Sequence, residues 1–293
     1  MHDTKIHMLY SVTHATRYRY DAPVSQCQSE VRLTPRSLPW QTVVDSRIET
    51  TPAPAWFDSR QDYFGNGVSS FSIHERHDRF STVATSRVRI DPRPVVSMDA
   101  VAWEEARHVL TKHAVPVALE AFEFVFDSPF VASGPELMAY ARPSFDAGRP
   151  LIAAAADLSH RIYAEFTYKP ESTSIETPLL DTLRMKRGVC QDFSHVMIGA
   201  LRSLGLAARY VSGYLRSGSD HQGGEASHAW VGVFIPDVGW VDFDPTNDVM
   251  PGTDHVTLAW GRDYADVTPM KGIALGGGHQ QVEVEVRVQA IEA

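Results

Sequence analysis

An α+β fold is expected from three features of the sequence: a β-patterned first third, one sharply amphipathic helix near residue 190, and a series of strands after it. With 293 residues, of which 43% are hydrophobic, the chain has enough apolar material for one large domain or two ordinary ones. The first strands fall between Met8 and Ile90. Tyr18–Tyr20, Ser29–Leu33, Val43–Glu49, Phe71–Ile73 and Ser86–Ile90 are short runs rich in β-branched or aromatic residues. Turn signals separate them at Asp21-Ala22-Pro23, Pro35-Arg36-Ser37, Pro52-Ala53-Pro54 and Gly65-Asn66-Gly67. Strands at this spacing predict a small sandwich-like all-β domain over residues 1–95. Asp91-Pro92-Arg93-Pro94 then reads as a stiff linker, because each proline keeps the residue before it out of the helical region.

The second domain, residues 96–293, opens on helices. Asp99–His113 and Arg149–Phe166 carry helical spacing, the latter through Leu151, Ala155, Leu158 and Ile162. The clearest helix runs over about Gly188–Leu204. Its apolar stripe is Phe193, Val196, Met197, Ala200, Leu201 and Leu204, and Gly205 stands where a left-handed cap belongs. Strands are predicted at about Ala208–Leu215, His228–Ile235 and Trp240–Asp244. A last half-buried strand carries Val282, Val284, Val286 and Val288. Gly276-Gly277-Gly278 lacks the strand–turn–helix setting of a phosphate loop and reads as a flexible turn.

Composition excludes several classes. Lys+Arg 27 against Asp+Glu 36 gives a net charge of −9, which disfavours a nucleic-acid-coating protein and a basic membrane-surface binder. The start shows no basic n-region followed by an apolar h-region, and no apolar stretch approaches the ~20 residues of a spanning helix. Two cysteines, Cys27 and Cys190, are too few for a disulfide scaffold. A cytoplasmic location is expected. The His74/His77 and His108/His113 pairs have no third ligand at suitable spacing, so no metal site is expected.

Cys190 stands at the first turn of the amphipathic helix. The positive end of the helix dipole favours a thiolate, and the free N–H groups there can stabilise an oxyanion. His228 opens a strand, and Pro236-Asp237-Val238-Gly239 turns the chain back into Trp240–Thr246. That hairpin brings His228 beside Asp242 and Asp244. An odd-numbered loop would place histidine and acid on one face, where the acid can orient an imidazole serving as base to a thiol. Strand parity leaves Asp242 and Asp244 both open. His195 and Asp192 point away from Cys190 around the helix axis, and His195 is expected to hydrogen-bond a neighbouring segment.

Gly188-Val189-Cys190-Gln191-Asp192-Phe193, Ala208–Tyr214, His228-Ala229-Trp230, Gly239–Thr246 and Gly261–Val267 together resemble the bacterial transglutaminase-like cysteine peptidase family across about residues 150–270. The first ninety residues resemble the β-rich N-terminal domain of its bacterial members, with Asp62-Tyr63-Phe64-Gly65-Asn66 as a local cue. The resemblance implies a papain-like core, in which the helix bearing the cysteine packs on an antiparallel sheet. It also implies a Cys190–His228–Asp244 triad and no cofactor, and so settles the choice of acid. The reaction it implies is acyl transfer at an amide carbonyl through a Cys thioester. Peptide or amide hydrolysis is preferred, with amine-accepting crosslinking or glutamine deamidation as the alternative. A non-catalytic peptide-binding module is the alternative from another class.

The substrate is accordingly expected to be a peptide, protein or other amide, with neither nucleic acid nor membrane as partner. Gln191 and Tyr168 are candidates for a second oxyanion donor beside the Cys190 N–H. Trp230, Trp240 and Tyr214 are candidates for the substrate cleft, against a reading as core aromatics. The glycine-rich segment Arg216–Gly224 is expected to border the cleft and to be mobile.

Overall fold

The computed structural model describes residues 7–99, 101–112, 116–219, 221–223 and 226–291. Five antiparallel strands begin the chain: β1 (Met8–Val31), β2 (Gln41–Thr51), β3 (Trp56–Gln61), β4 (Gly67–Ile73) and β5 (His77–Ile90). Next come α1 (Trp103–Lys112), α2 (Pro116–Phe122), α3 (Pro135–Ala141) and α4 (Leu151–Glu165), so His113 of the expected first helix lies outside the described residues. Then follow β6 (Thr167–Tyr168), α5 (Leu179–Met185), β7 (Arg187–Gly188) and α6 (Cys190–Ser203). The remaining elements are β8 (Ala208–Leu215), β9 (His228–Ile235), β10 (Gly239–Phe243), β11 (His255–Gly261), α7 (Tyr264–Val267), β12 (Met270–Gly276) and β13 (Gln280–Ala290).

β1 differs from expectation. The turn signal at Asp21–Pro23 does not end a strand; it bends one of 24 residues, and the register with β5 shifts between Arg19 and Val24. The first half of β1 pairs with β5 and the second half with β4. Residues from both halves share one core, which includes Tyr20, Val24, Val31, Phe71, Ile73 and Phe80, and this gives the domain its sandwich-like character.

The opposite edge of β1 receives β13 along its first half and β12 along its second. The last two strands therefore pair into the first sheet, although in sequence they follow the second sheet. Alternating hydrophobicity announces a strand and its buried face but does not encode which edge will accept it. Gly276, Gly277 and Gly278 carry β12 into β13 opposite the bend of β1, with φ between +65° and +97°. A Cβ at Gly276 would stand 2.7 Å from the Pro23 carbonyl oxygen, so the glycines answer a close approach rather than flexibility.

The second domain is built on a four-stranded antiparallel sheet of order β10-β9-β8-β11. α6 packs on it through Phe193, Val196, Met197, Ala200 and Leu201, and it is buried almost all round, as a central core helix should be. Gly205, at φ +77°, ends this run as the sequence requires, its N–H bonding to the Arg202 carbonyl at 2.8 Å.

β11 is an edge strand, and the N-terminal domain covers it. The Gln41 amide accepts the Thr257 N–H at 2.8 Å and donates to the Thr257 carbonyl at 2.7 Å. The Asn66 amide repeats the pattern on Trp260, at 2.9 and 2.8 Å. Two side-chain amides thus stand in for a missing strand. Beside them Arg36 and Arg209 sandwich the Trp260 ring, with the Arg guanidinium carbons 3.5 and 3.8 Å from its centroid. Tyr10, Val12, Val88 and Ile90 complete the joint by packing on Tyr214, Val256 and Leu258.

Candidate active site

The Asp192 carboxylate shapes the start of α6. It accepts the Val189 N–H at 2.8 Å and the Thr173 hydroxyl at 2.7 Å. An acid at the third helical position that reaches back to the preceding backbone fixes the helix origin. A Cβ at residue 188 would lie 2.5 Å from that carboxylate, so Gly188 is required. Cys190 is therefore held as the first helical residue, buried but at the surface of the core.

The β9–β10 hairpin has a three-residue loop between the paired residues Ile235 and Gly239, the odd count that puts histidine and acid on one face. Phe243 opposes Val231, so Asp244 falls opposite Trp230 and His228 reaches it on the diagonal. His228 Nε2 lies 2.8 Å from Asp244 Oδ2, with both side chains fully buried. Asp242 repeats the diagonal one step along, taking the Trp230 indole N–H at 3.2 Å and Arg93 Nη1 at 2.6 Å. The geometry therefore separates the two acids that parity left open.

Asp244 is heavily supported. Its Oδ1 accepts the Thr246 N–H at 2.9 Å; its Oδ2 accepts Asn247 Nδ2 at 2.8 Å and faces His255 Nε2 at 3.2 Å. Burial pushes this carboxyl up, but His228, by charge and hydrogen bond, and His255 outweigh it and hold Asp244 far below the usual carboxylate range. Burial pushes His228 down, yet the Asp244 charge and then Cys190 prevail and raise it to about 10. At neutral pH the imidazole is thus held as a cation against Asp244.

With Nε2 given to Asp244, Cys190 acts on the imidazole as its other interacting neighbour, by charge and hydrogen bond. Nδ1 is buried, and among the described residues no atom meets it in full hydrogen-bond geometry. Gly223 closes the ring from the side; at φ +87°, a Cβ there would stand 2.8 Å from Nδ1 and 3.6 Å from the Tyr168 hydroxyl.

Comparison with known proteins places this arrangement. Residues 10–89 match the bacterial transglutaminase-like N-terminal region, and residues 139–245 match the transglutaminase-like superfamily. An uncharacterized protein of Mycobacterium tuberculosis is 38% identical over 295 residues, spanning 96% of this chain and 92% of the relative. The chain belongs to the transglutaminase-like superfamily. A relative in Mycobacterium leprae is 34% identical over 283 residues, covering 94% and 97% of the two chains. The protein-glutamine gamma-glutamyltransferase of Pseudomonas aeruginosa is 33% identical over 118 residues, 34% of this chain and 16% of that one. In structure, a candidate cysteine protease from Cytophaga hutchinsonii superposes over 98% of this chain and 92% of its own, with TM-score 0.77 and 21% sequence identity, a likeness of fold.

Within this transglutaminase-like core the other expected residues divide. Tyr168 stands beside Gly223 and the imidazole. Gln191, the second residue of α6, is half-buried at the helix mouth. His195 does serve a neighbouring segment: its Nε2 accepts the Tyr264 N–H at 3.3 Å, and burial lowers it to about 4.

The three aromatic cleft candidates are placed elsewhere. Trp230 is sealed beneath the site, its ring perpendicular to His255 at 5.3 Å. Tyr214 is buried in the domain joint with its hydroxyl 2.9 Å from His14 Nδ1. Trp240 stacks on Arg209 and edges onto Phe124. Trp230 and Tyr214 fill interior space that strand periodicity alone could not distinguish from a cleft, whereas Trp240 is half-buried and lines a pocket with Trp40, Arg93 and Met250.

The segment after β8 does border the site, but hydrogen bonds tether its described residues. Ser217 exchanges bonds with Val288, and the Gln222 N–H meets Asn247 Oδ1 at 2.7 Å. Sequence reasoning missed Asn247 and His255 altogether. Asn247 lies close after the Asp-Pro-Thr turn, a local cue; His255 is one of thirteen histidines and carries none.

Proposed function

We propose that the chain is a thiol hydrolase acting at the amide carbonyl of a peptide or protein, with Cys190 as nucleophile, His228 as acid–base and Asp244 as the orienting acid. The observation that carries this reading is the buried His228 ring, bound to Asp244 through Nε2, with Cys190 at a helix N-terminus as its other interacting neighbour. The Cys190 thiolate, paired with the His228 cation, attacks the carbonyl carbon, and the proton held by His228 passes to the leaving nitrogen as the C–N bond breaks. Backbone N–H groups at the start of α6, with Tyr168 or Gln191, face the oxyanion, a contribution of roughly 3–4 kcal/mol per strong donor. His228 then takes a proton from water, whose oxygen cleaves the thioester. No cofactor enters these steps, and a reducing, cytoplasmic setting keeps Cys190 free. Neither a nucleic acid nor a membrane surface is a partner in this reading.

The Pseudomonas relative favours a second reading, in which an amine replaces water and the product is a crosslink. Iodoacetamide labelling tests the shared chemistry. Cys190 is expected to react at pH 6–7 well ahead of Cys27, a buried thiol that burial pushes up. His228→Ala should slow Cys190 alone. Equal, sluggish labelling of both thiols would favour a non-catalytic peptide-binding module. Mass spectrometry of a glutamine-containing peptide library, with and without added amine, separates the two enzymatic readings. Amine incorporation in excess of hydrolysis would establish the transferase.

A further inference from the structure

We propose that His255 is a positioning residue of this site, which donates its Nε2–H to the same Asp244 oxygen that His228 uses and so fixes where that oxygen stands. The inference rests on the hydrolase reading for its purpose but on separate contacts for its geometry. His255 opens β11, is 2% exposed, and lies 3.2 Å from Asp244 Oδ2. Its ring centroid is 6.4 Å from that of His228, and the Trp230 ring packs on both. β11 thereby joins the β9–β10 hairpin in building the site.

The protonation state follows from what surrounds the ring. The groups facing it are Asp244, His228, His221 and Arg93. Burial first, and then the positive charges of His228 and Arg93, work against a second imidazolium and outweigh Asp244, so His255 titrates below the ordinary histidine range. Among the described residues its Nδ1 is buried without a partner, which an N–H there would leave unsatisfied. His255 is therefore a neutral donor with hydrogen on Nε2. A neutral donor anchors the carboxylate without competing for its charge, whereas an arginine or lysine there would neutralise the acid that holds His228 as a cation.

Two variants and one spectroscopic measurement test this. His255→Gln keeps an amide donor and His255→Leu removes it; each is followed by the pH profile of Cys190 alkylation and by its melting temperature. His255→Gln should label within about threefold of the native rate, and His255→Leu at least about tenfold more slowly at pH 6, with its profile displaced to higher pH. A structural role alone would lower the melting temperature of both and leave the profile in place, which would overturn the proposal. Ring nitrogen NMR of the native chain should show His255 as the neutral Nε2–H form from pH 6 to 9; a cation or an Nδ1–H form there overturns the proposal even if His255→Leu does not fold. Native Cys190 that fails to alkylate would count against the hydrolase reading instead, and the tautomer would still decide this one.

Discussion

Asp242 and Asp244 lie two residues apart on one hairpin, face the same way and are both buried, yet they keep opposite company. Asp242 receives Arg93 and the Trp230 indole, with Arg209 close by and itself stacked between Trp240 and Trp260. Asp244 receives two histidines, an asparagine amide and a backbone N–H. Arginine keeps its proton through the physiological range, so Asp242 is a fixed counter-charge at the joint between the domains. Histidine can release and recover a proton, so in the proposed reaction Asp244 is the counter-charge to the group that moves the proton. Trp230 touches both settings, bonding to Asp242 and packing on the two imidazoles. Similar placement on a strand therefore says little about role; the partners decide it.

Exchanging each acid for its amide separates the two roles. Asp244→Asn should fold, but turnover of whichever peptide the library screen identifies should fall by roughly 10⁴-fold, the scale seen when an orienting acid of a triad is neutralised. Asp242→Asn should do the reverse. It neutralises the carboxylate that faces the half-buried Arg93 and the buried Arg209 and should cost about 3–5 kcal/mol in urea unfolding, while alkylation of the folded fraction stays near native. Comparable loss of activity in both variants would erase the distinction.

A second contrast, between two buried histidines, sharpens the first. Among the described residues His14 bonds to hydroxyls and not to a carboxylate, and burial pushes it down to about 4, whereas His228 is raised to about 10. A histidine held neutral contributes its stability in full above an unfolded value near 6.5 and loses it as pH falls toward about 4. His228 contributes in full below about 6.5 and loses that stability as pH rises through about 10. Unfolding free energy measured across pH 4–10 should thus decline on both sides. His14→Gln should reduce the acid-side slope, with His195 and His255 keeping their shares, and Asp244→Asn should flatten the alkaline side. An alkaline slope that survives Asp244→Asn would mean that the His228 cation depends on something else.

How far the sequence carries depends on the range of the interaction. The start of α6 was legible because its signals are local: the apolar stripe, Gly205, and a cysteine in the first turn. The hairpin narrowed the acid to two residues, since parity is a local property, and the diagonal offset that separates Asp242 from Asp244 is not. The family resemblance named Asp244, the acid that His228 meets in the structure. The placement of β12 and β13 against β1 was invisible because a strand's pattern describes its faces and not its neighbour. The turn expected at Asp21–Pro23 failed for a related reason, as partners on both edges of β1 turned a local stop into a bend. Trp230 and Tyr214 have the composition of cleft residues, and only tertiary packing shows them to be interior.

The smallest effect concerns the amides that seat the two domains. Gln41→Ala and Asn66→Ala each free one N–H and one carbonyl on the edge of β11, at Thr257 and Trp260. Where water can reach the freed groups, each loss should cost about 1–2 kcal/mol in urea unfolding. Both residues act on one short strand, so the double variant should depart from additivity. Because β11 also begins with His255, the pair reports how rigidly the joint is tied to the site. If the joint only supports the fold, Cys190 alkylation in folded protein stays at the native rate in all three variants. A fall that follows the loss of stability would show that the N-terminal domain holds His255, and through it Asp244, in place.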